Sequence, residues 1–267
     1  MSFPRPIRRP DLILGVVLTV FVSGCSTVPE TGRKQLNMFS SQEEMKLGLS
    51  EFDKMKKDLP ISKDAQANAM VQRVGQRIAA VAQLPDAQWE FVVFESQEAN
   101  AFCLPGGKVG IYKGILPICQ DDAGLAAVMG HEVAHAIARH GGERMTTAAG
   151  ISTLGQLSGS YLGTTKYADW TPLAMQAYGL GSQVGVALPH SRGQESEADE
   201  IGLIYMARAG YPPKAAVGFW ERFAEYNQKA GGAQTAWFMS THPTDAGRIA
   251  DLKALLPKAE AQYRPAK

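Results

Sequence analysis

The sequence predicts a helix-dominated α+β fold, and two observations carry that reading. A β-rich stretch from Trp89 to Phe94, followed by Phe102 and by Lys108 to Tyr112, lies early in the chain between turn signals. From Ala123 onward apolar residues recur at helical spacing almost to the C-terminus. The 267 residues suffice for one sizeable core, and no internal repeat or low-complexity tract divides them, so a single domain over 41–267 is the simplest parse.

At the start, Arg5, Arg8 and Arg9 precede an apolar run from Leu12 to Val22 that is too short for a comfortable membrane span, and Ser23 and Gly24 then lead into Cys25. That order is the order of an export signal over residues 1–24. Val22-Ser23-Gly24-Cys25 resembles the bacterial lipoprotein signal, in which the cysteine is lipidated and becomes the new N-terminus. Ser26 after it resembles the signal for outer-membrane sorting. These resemblances imply a periplasmic protein held by its lipid at the inner face of the outer membrane. Residues 25–40 are polar and aperiodic, with Pro29, Gly32, Arg33 and Lys34, and read as a flexible tether. Downstream, the stretch from Ala148 to Leu188 is broken by Lys166, Asp169 and Pro172, so no apolar run of membrane length follows the signal. A balance of 27 Lys and Arg against 26 Asp and Glu leaves no basic excess for phosphates, which excludes nucleic acid as a partner.

The elements follow in order. Ser40 or Ser41 caps a helix opened by Gln42-Glu43-Glu44, with Met45, Leu49, Phe52 and Met55 on one side, ending before Pro60. A second helix spans Asp64 to Gln83, with Val71, Val74 and Ile78 facing the core. Two or three strands occupy 89–112, joined by the turn Leu104-Pro105-Gly106-Gly107. Helices are then expected over Ala123–His140, Glu143–Leu157, Thr171–Leu188, Gln194–Ala209, Pro213–Gln228 and Thr244–Leu256. With Cys25 assigned to lipid, Cys103 and Cys119 remain in an oxidising compartment. They are either a disulfide across the strand-to-helix connection or two small buried apolar side chains.

The chemistry concentrates in His131-Glu132-Val133-Ala134-His135, an H-E-x-x-H motif within a helix opened by Asp121-Asp122 and ended by Gly141-Gly142. Residues four apart share a helical face, so both imidazoles can reach one Zn2+ while Glu132 meets a water as general base. A catalytic zinc takes a third protein ligand and leaves one position open. On a continuous helix His140 lies about 140° round from His135, off the metal face, and reads instead as a C-terminal residue suited to the helix dipole. Gly141 stands where the metzincin pattern has its third histidine, which excludes that pattern. The third ligand is sought in Ser191-Arg192-Gly193-Gln194-Glu195-Ser196-Glu197-Ala198-Asp199, which opens a later helix. Glu195 can ligate, and Asp199, one turn on, is placed to accept the second ring N–H of a zinc histidine, His131. Glu197 points about 200° from Glu195 and is expected to face elsewhere.

Together, Asn100-Ala101-Phe102, Leu104 to Gly107, His131 to His140, Ser191-Arg192 with Glu195-x-Glu197-Ala198-Asp199, and Thr241-His242-Pro243 resemble the HtpX-like peptidase family, which includes the integral-membrane CAAX prenyl endoproteases. The match runs in order from about Thr31 to Ile249 and is most similar to the branch of soluble envelope lipoproteins. The resemblance implies a gluzincin fold, zinc on His131, His135 and Glu195, and Glu132 as catalytic base. It brings the Thr-His-Pro segment back toward the metal, where His242 has three readings: a fourth ligand that holds the enzyme latent, an oxyanion donor, or a structural loop residue. It also implies that the strand Val109–Tyr112 borders the cleft and pairs with an extended substrate, so that unfolded or misfolded envelope polypeptides are the expected partners. His190 departs from the aromatic residue expected in this branch and is not counted as a ligand. The competing reading is a zinc-containing chaperone or assembly factor tied to the outer-membrane assembly machinery. Glu132 argues against pure binding, and the lack of spanning helices argues against prenyl-protein processing in the membrane.

Overall fold

The structure is a computed structural model that describes residues 25–157, 191–229, 242 and 246–265. The signal residues 1–24, the helix expected over Thr171–Leu188 and His190 lie outside these. Two short strands, β1 (Cys25–Thr27) and β2 (Lys34–Leu36), precede two helices, α1 (Ser41–Asp58) and α2 (Ala65–Ala79). Strands β3 (Glu90–Phe94), β4 (Ala101–Leu104) and β5 (Lys108–Tyr112) then lead into a short helix α3 (Leu116–Cys119) and the long helices α4 (Asp122–Ile137) and α5 (His140–Leu157). Helices α6 (Arg192–Arg208), α7 (Lys214–Lys229) and α8 (Ala246–Glu260) complete the described chain. The helix-dominated α+β class is the observed one.

Helix α4 is the axis of the molecule. The Asp121 side chain caps it by accepting from the Gly124 N–H at 2.8 Å, and every residue from Gly124 to Ile137 is buried. A helix that is apolar all round belongs in the interior, and this one is wrapped by α2, α6, α7 and the sheet. Its contact with α6 is backbone on backbone: a Cβ on Gly130 would come within 2.9 Å of the Gly202 carbonyl, and one on Gly202 within 2.9 Å of the His131 nitrogen. Two glycines thereby bring the helix carrying His131 and His135 close to the helix carrying Glu195 and Asp199.

The sheet order is β3-β5-β4, with β3 parallel and β4 antiparallel to β5. This corrects the expectation that Val109–Tyr112 pairs with substrate. That strand, β5, is central and bonded on both sides, and the edge strand packed against α4 is β4. Tyr112 N–H donates to the Asn100 carbonyl, so by antiparallel alternation Phe102 and Leu104 turn their backbone groups toward β5 while Ala101 and Cys103 turn theirs to the side that has no strand partner among the described residues.

Two further expectations are corrected, and the alternative left open at the cysteines is decided for two buried apolar side chains. Residues 25–40 are not a flexible tether: β1 and β2 form an antiparallel hairpin, and Val28, Gln35 and Asn37 are buried. Gln35 donates to the Ala138 carbonyl at 2.8 Å and Asn37 to Glu44 at 2.8 Å. Cys103 and Cys119 are not bonded to each other; both are buried free thiols. Burial pushes both thiols well above their ordinary range, so they act as small apolar residues of the core. The H-E-x-x-H helix also does not run on to His140. It ends at Ile137, Arg139 takes a left-handed conformation (φ 54°), and α5 starts at His140. Arg139 is held there by 2.6 Å bonds to the Glu44 carboxylate and the Phe39 carbonyl. Gly142, expected as a terminator, lies inside α5, where a Cβ would meet the Glu44 carboxylate at 2.2 Å. It is small because the N-terminal segment passes against it.

Candidate metal centre

His131, His135, Glu195 and His242 come together, all four buried, each offering a ligand-type atom within 4.8 Å of the others. The first two come from consecutive turns of α4. Glu195 comes from the first turn of α6, where Ser191 forms a capping box with Gln194. His242 comes from the segment before α8. The Nε2 atoms of His131 and His135 lie 3.1 Å apart, and the Glu195 oxygens lie 3.4 Å from His131 Nε2 and 3.3 Å from His135 Nε2. His242 Nδ1 lies 3.2 Å from His131 Nε2 and 3.0 Å from Glu195 Oε1.

These separations test the fit of a metal. Ligand bonds of about 2.0–2.1 Å on a tetrahedral zinc put neighbouring donor atoms about 3.3–3.4 Å apart. Three imidazole nitrogens and a carboxylate at 3.0–3.4 Å match that spacing and that ligand chemistry. Burial holds the His135 imidazole neutral, the form that ligates. Burial also opposes charge on His131, but its bonds to Asp199 and Glu195 outweigh that and raise it to about 9. The same pull would act on a divalent cation. Despite burial, Glu195 is held well below the usual carboxylate range by His242, His131 and His135.

Glu132 sits beside the four donors. Its Oε1 is buried with no hydrogen-bond partner among the described residues, and the nearest cationic-type atom is His242 Nε2 at 3.6 Å. Burial raises its carboxyl above the ordinary range. Asp199 lies where the sequence placed it, with Oδ1 at 2.9 Å from His131 Nδ1.

Three residues that the sequence reading left out of the site belong to it. Arg248 grips Asp199 with Nε and Nη2 at 2.8 Å each, reaches Glu195 Oε2 with Nη1 at 2.9 Å, and stacks its guanidinium 3.7 Å over the Trp220 ring. Its sequence signal was slight, a single arginine in an ordinary helix. His140 and Glu197 were read as pointing away. His140 is fully buried, with Nδ1 at 2.8 Å from His135 Nδ1 and Nε2 at 2.9 Å from Glu197 Oε2. The break at Arg139 swings His140 back behind His135, which the angle on a continuous helix did not anticipate.

Comparison with known proteins adds family evidence to this geometry. The sequence pattern of peptidase family M48 matches residues 65–256. The chain is 34% identical over 238 residues to the mitochondrial metalloendopeptidase OMA1 of Schizosaccharomyces pombe, covering 88% of this chain and 67% of that one. It is 38% identical over 184 residues to the Saccharomyces cerevisiae protein of the same name, covering 67% and 50%. It is 25% identical over 245 residues to the beta-barrel assembly-enhancing protease of Escherichia coli, covering 91% and 50%. The chain thus spans between about half and two thirds of the length of these three relatives.

Proposed function

The chain belongs to peptidase family M48 and is a zinc metalloendopeptidase, and we propose from that premise that it cuts unfolded or misfolded polypeptides in a bacterial envelope. In this reading His131, His135 and Glu195 hold the zinc, Asp199 orients His131, and Glu132 is the general base. One observation carries it: metal-type donors at tetrahedral spacing stand beside a buried carboxylate, one oxygen of which has no hydrogen-bond partner among the described residues. Bound zinc would polarise the scissile carbonyl and acidify the attacking water. Glu132 takes the proton of that water and returns it to the leaving amine. A centre that only stabilised a fold would gain nothing from such a carboxylate, so the chaperone reading is the weaker one.

Substrate would lie along the edge of β4, pairing with the outward Ala101 carbonyl and the outward N–H and carbonyl of Cys103, the Ala101 N–H being held by Asn100 Oδ1 at 2.9 Å. Main-chain pairing reads extension rather than side chains, so it favours unfolded chains. The full protein should therefore digest a denatured outer-membrane polypeptide, spare its folded form, and stop when zinc is chelated. Equal rates on both forms would overturn the preference for unfolded substrates. Digestion of neither, by protein that holds zinc, would favour the chaperone.

The envelope assignment rests on the ordered charged, apolar and small residues ahead of Cys25. No helix among the described residues is long and apolar enough to cross a membrane. Cys25 is exposed at the start of β1, accessible for lipid attachment. The bacterial relative named for β-barrel assembly makes the outer-membrane assembly machinery the proposed partner. Mass spectrometry of the protein purified from bacterial membranes should find a diacylglyceryl-modified Cys25 as the first residue. An intact Met1, or a cut elsewhere, would remove the lipid anchor from this account.

A further inference from the structure

We propose that Arg33, assisted by Thr31, is a positioning residue of the zinc centre, acting through a relay from the N-terminal hairpin to His135. The inference rests on the reading of His135 as a ligand. His135 turns Nε2 toward the other donors, so its proton is on Nδ1, 2.8 Å from His140 Nδ1. His140 Nδ1 must then accept, which places the His140 proton on Nε2, where it donates to Glu197 Oε2 at 2.9 Å. Arg33 Nε donates to that same oxygen at 2.7 Å, and the Thr31 hydroxyl donates to Oε1. The remaining guanidinium nitrogens of Arg33 fork onto Glu143 at 2.8 and 3.1 Å. Every donor in the relay has an acceptor, and a single set of tautomers satisfies it.

The other zinc histidine has the same arrangement in a shorter form. His131 Nδ1 meets Asp199, and Asp199 is gripped by Arg248. Each imidazole thus ends on a carboxylate clamped by a guanidinium, and the His135 branch is longer by one inserted histidine. The clamping residue of that branch comes from upstream of the matched family pattern, which begins at residue 65. Glu197 is buried, and a buried carboxylate stripped of its cation must rearrange toward water. That movement would release His140 and, with it, the orientation of His135. The hairpin is therefore part of the metal site rather than a leash.

Zinc affinity of the full-length protein, measured by competition with a chromophoric chelator, tests the relay. Arg33→Ala should weaken zinc binding about 10–100-fold, the usual cost of losing a residue that supports a ligand. Arg33→Lys should fall between, since an ammonium keeps the charge but cannot fork between Glu197 and Glu143. Arg208→Ala breaks the 2.7 Å pair with Glu30, loosening the same hairpin without touching the relay. It should lower the melting temperature and leave zinc affinity as in the wild type. Should Arg33→Ala fail to fold, Thr31→Val removes the hydroxyl donor with little change of shape and should cost several-fold in affinity. Wild-type affinity in Arg33→Ala or, where that variant does not fold, in Thr31→Val, or an equal loss in Arg208→Ala, would overturn the relay. A wild type that binds no zinc, or whose affinity survives His135→Ala, would instead overturn the metal-site reading beneath it.

Discussion

Glu132→Gln should lower casein hydrolysis by about 10²–10⁴-fold, the range of general acid–base contributions, while zinc content stays at the wild-type level. The separation of the two readouts follows from position. Glu132 is adjacent to His131 in sequence, yet it is not among the four residues whose ligand atoms cluster. Its Oε1 faces His242 Nε2 at 3.6 Å and has no hydrogen-bond partner among the described residues. Glutamine fills the same volume, so packing around α4 is kept, but an amide cannot take a proton from water. Loss of zinc in this variant would move Glu132 into the ligand set. Wild-type hydrolysis would dismiss it as the base. If neither wild type nor variant cuts casein, and both hold unfolded polypeptide, the chaperone reading gains the ground that the peptidase reading loses.

What the sequence disclosed of this site was the part governed by local geometry. His131 and His135 share a face because four residues make about one helical turn, and Asp199 follows Glu195 by the same spacing. Both pairs met in the structure as expected. The misreadings began where local rules stopped applying. The position assigned to His140 assumed an unbroken helix, and Arg139 breaks it through a left-handed backbone held by Glu44, nearly a hundred residues upstream. The hairpin of residues 25–36 was illegible because its strands are polar and three residues long, and its stability comes from contacts with Glu143, Glu197 and Ala138. Strand order is likewise non-local: nothing in 89–112 announces that the third strand inserts between the first two, so the edge passed to β4. Arg248 became legible only once the buried carboxylates it neutralises had been placed.

His242→Ala should raise casein hydrolysis and self-cleavage. A catalytic zinc needs one position open to water, yet His242 Nδ1 stands 3.2 Å from His131 Nε2 and 3.0 Å from Glu195 Oε1, at the spacing of a fourth ligand. An oxyanion donor would be set back from the other donors by the width of a substrate oxygen; this imidazole fills that place itself. It is also buried, and its Nε2 is the nearest imidazole nitrogen to the base. In this arrangement Glu132, the proposed base, faces His242 at 3.6 Å, and the latch reading predicts that activity requires the His242 imidazole to leave this position. Removing the imidazole should then increase the rate by the reciprocal of the open fraction, so a latch closed in nine molecules of ten yields about a tenfold rise. If the residue acts instead as the oxyanion donor, the same substitution should cut kcat by about 10²–10³-fold. Unchanged hydrolysis and unchanged self-cleavage would reduce His242 to a packing residue. The latch further requires that a high concentration of unfolded substrate narrow the gap between wild type and variant, because substrate competes with the imidazole for the same space.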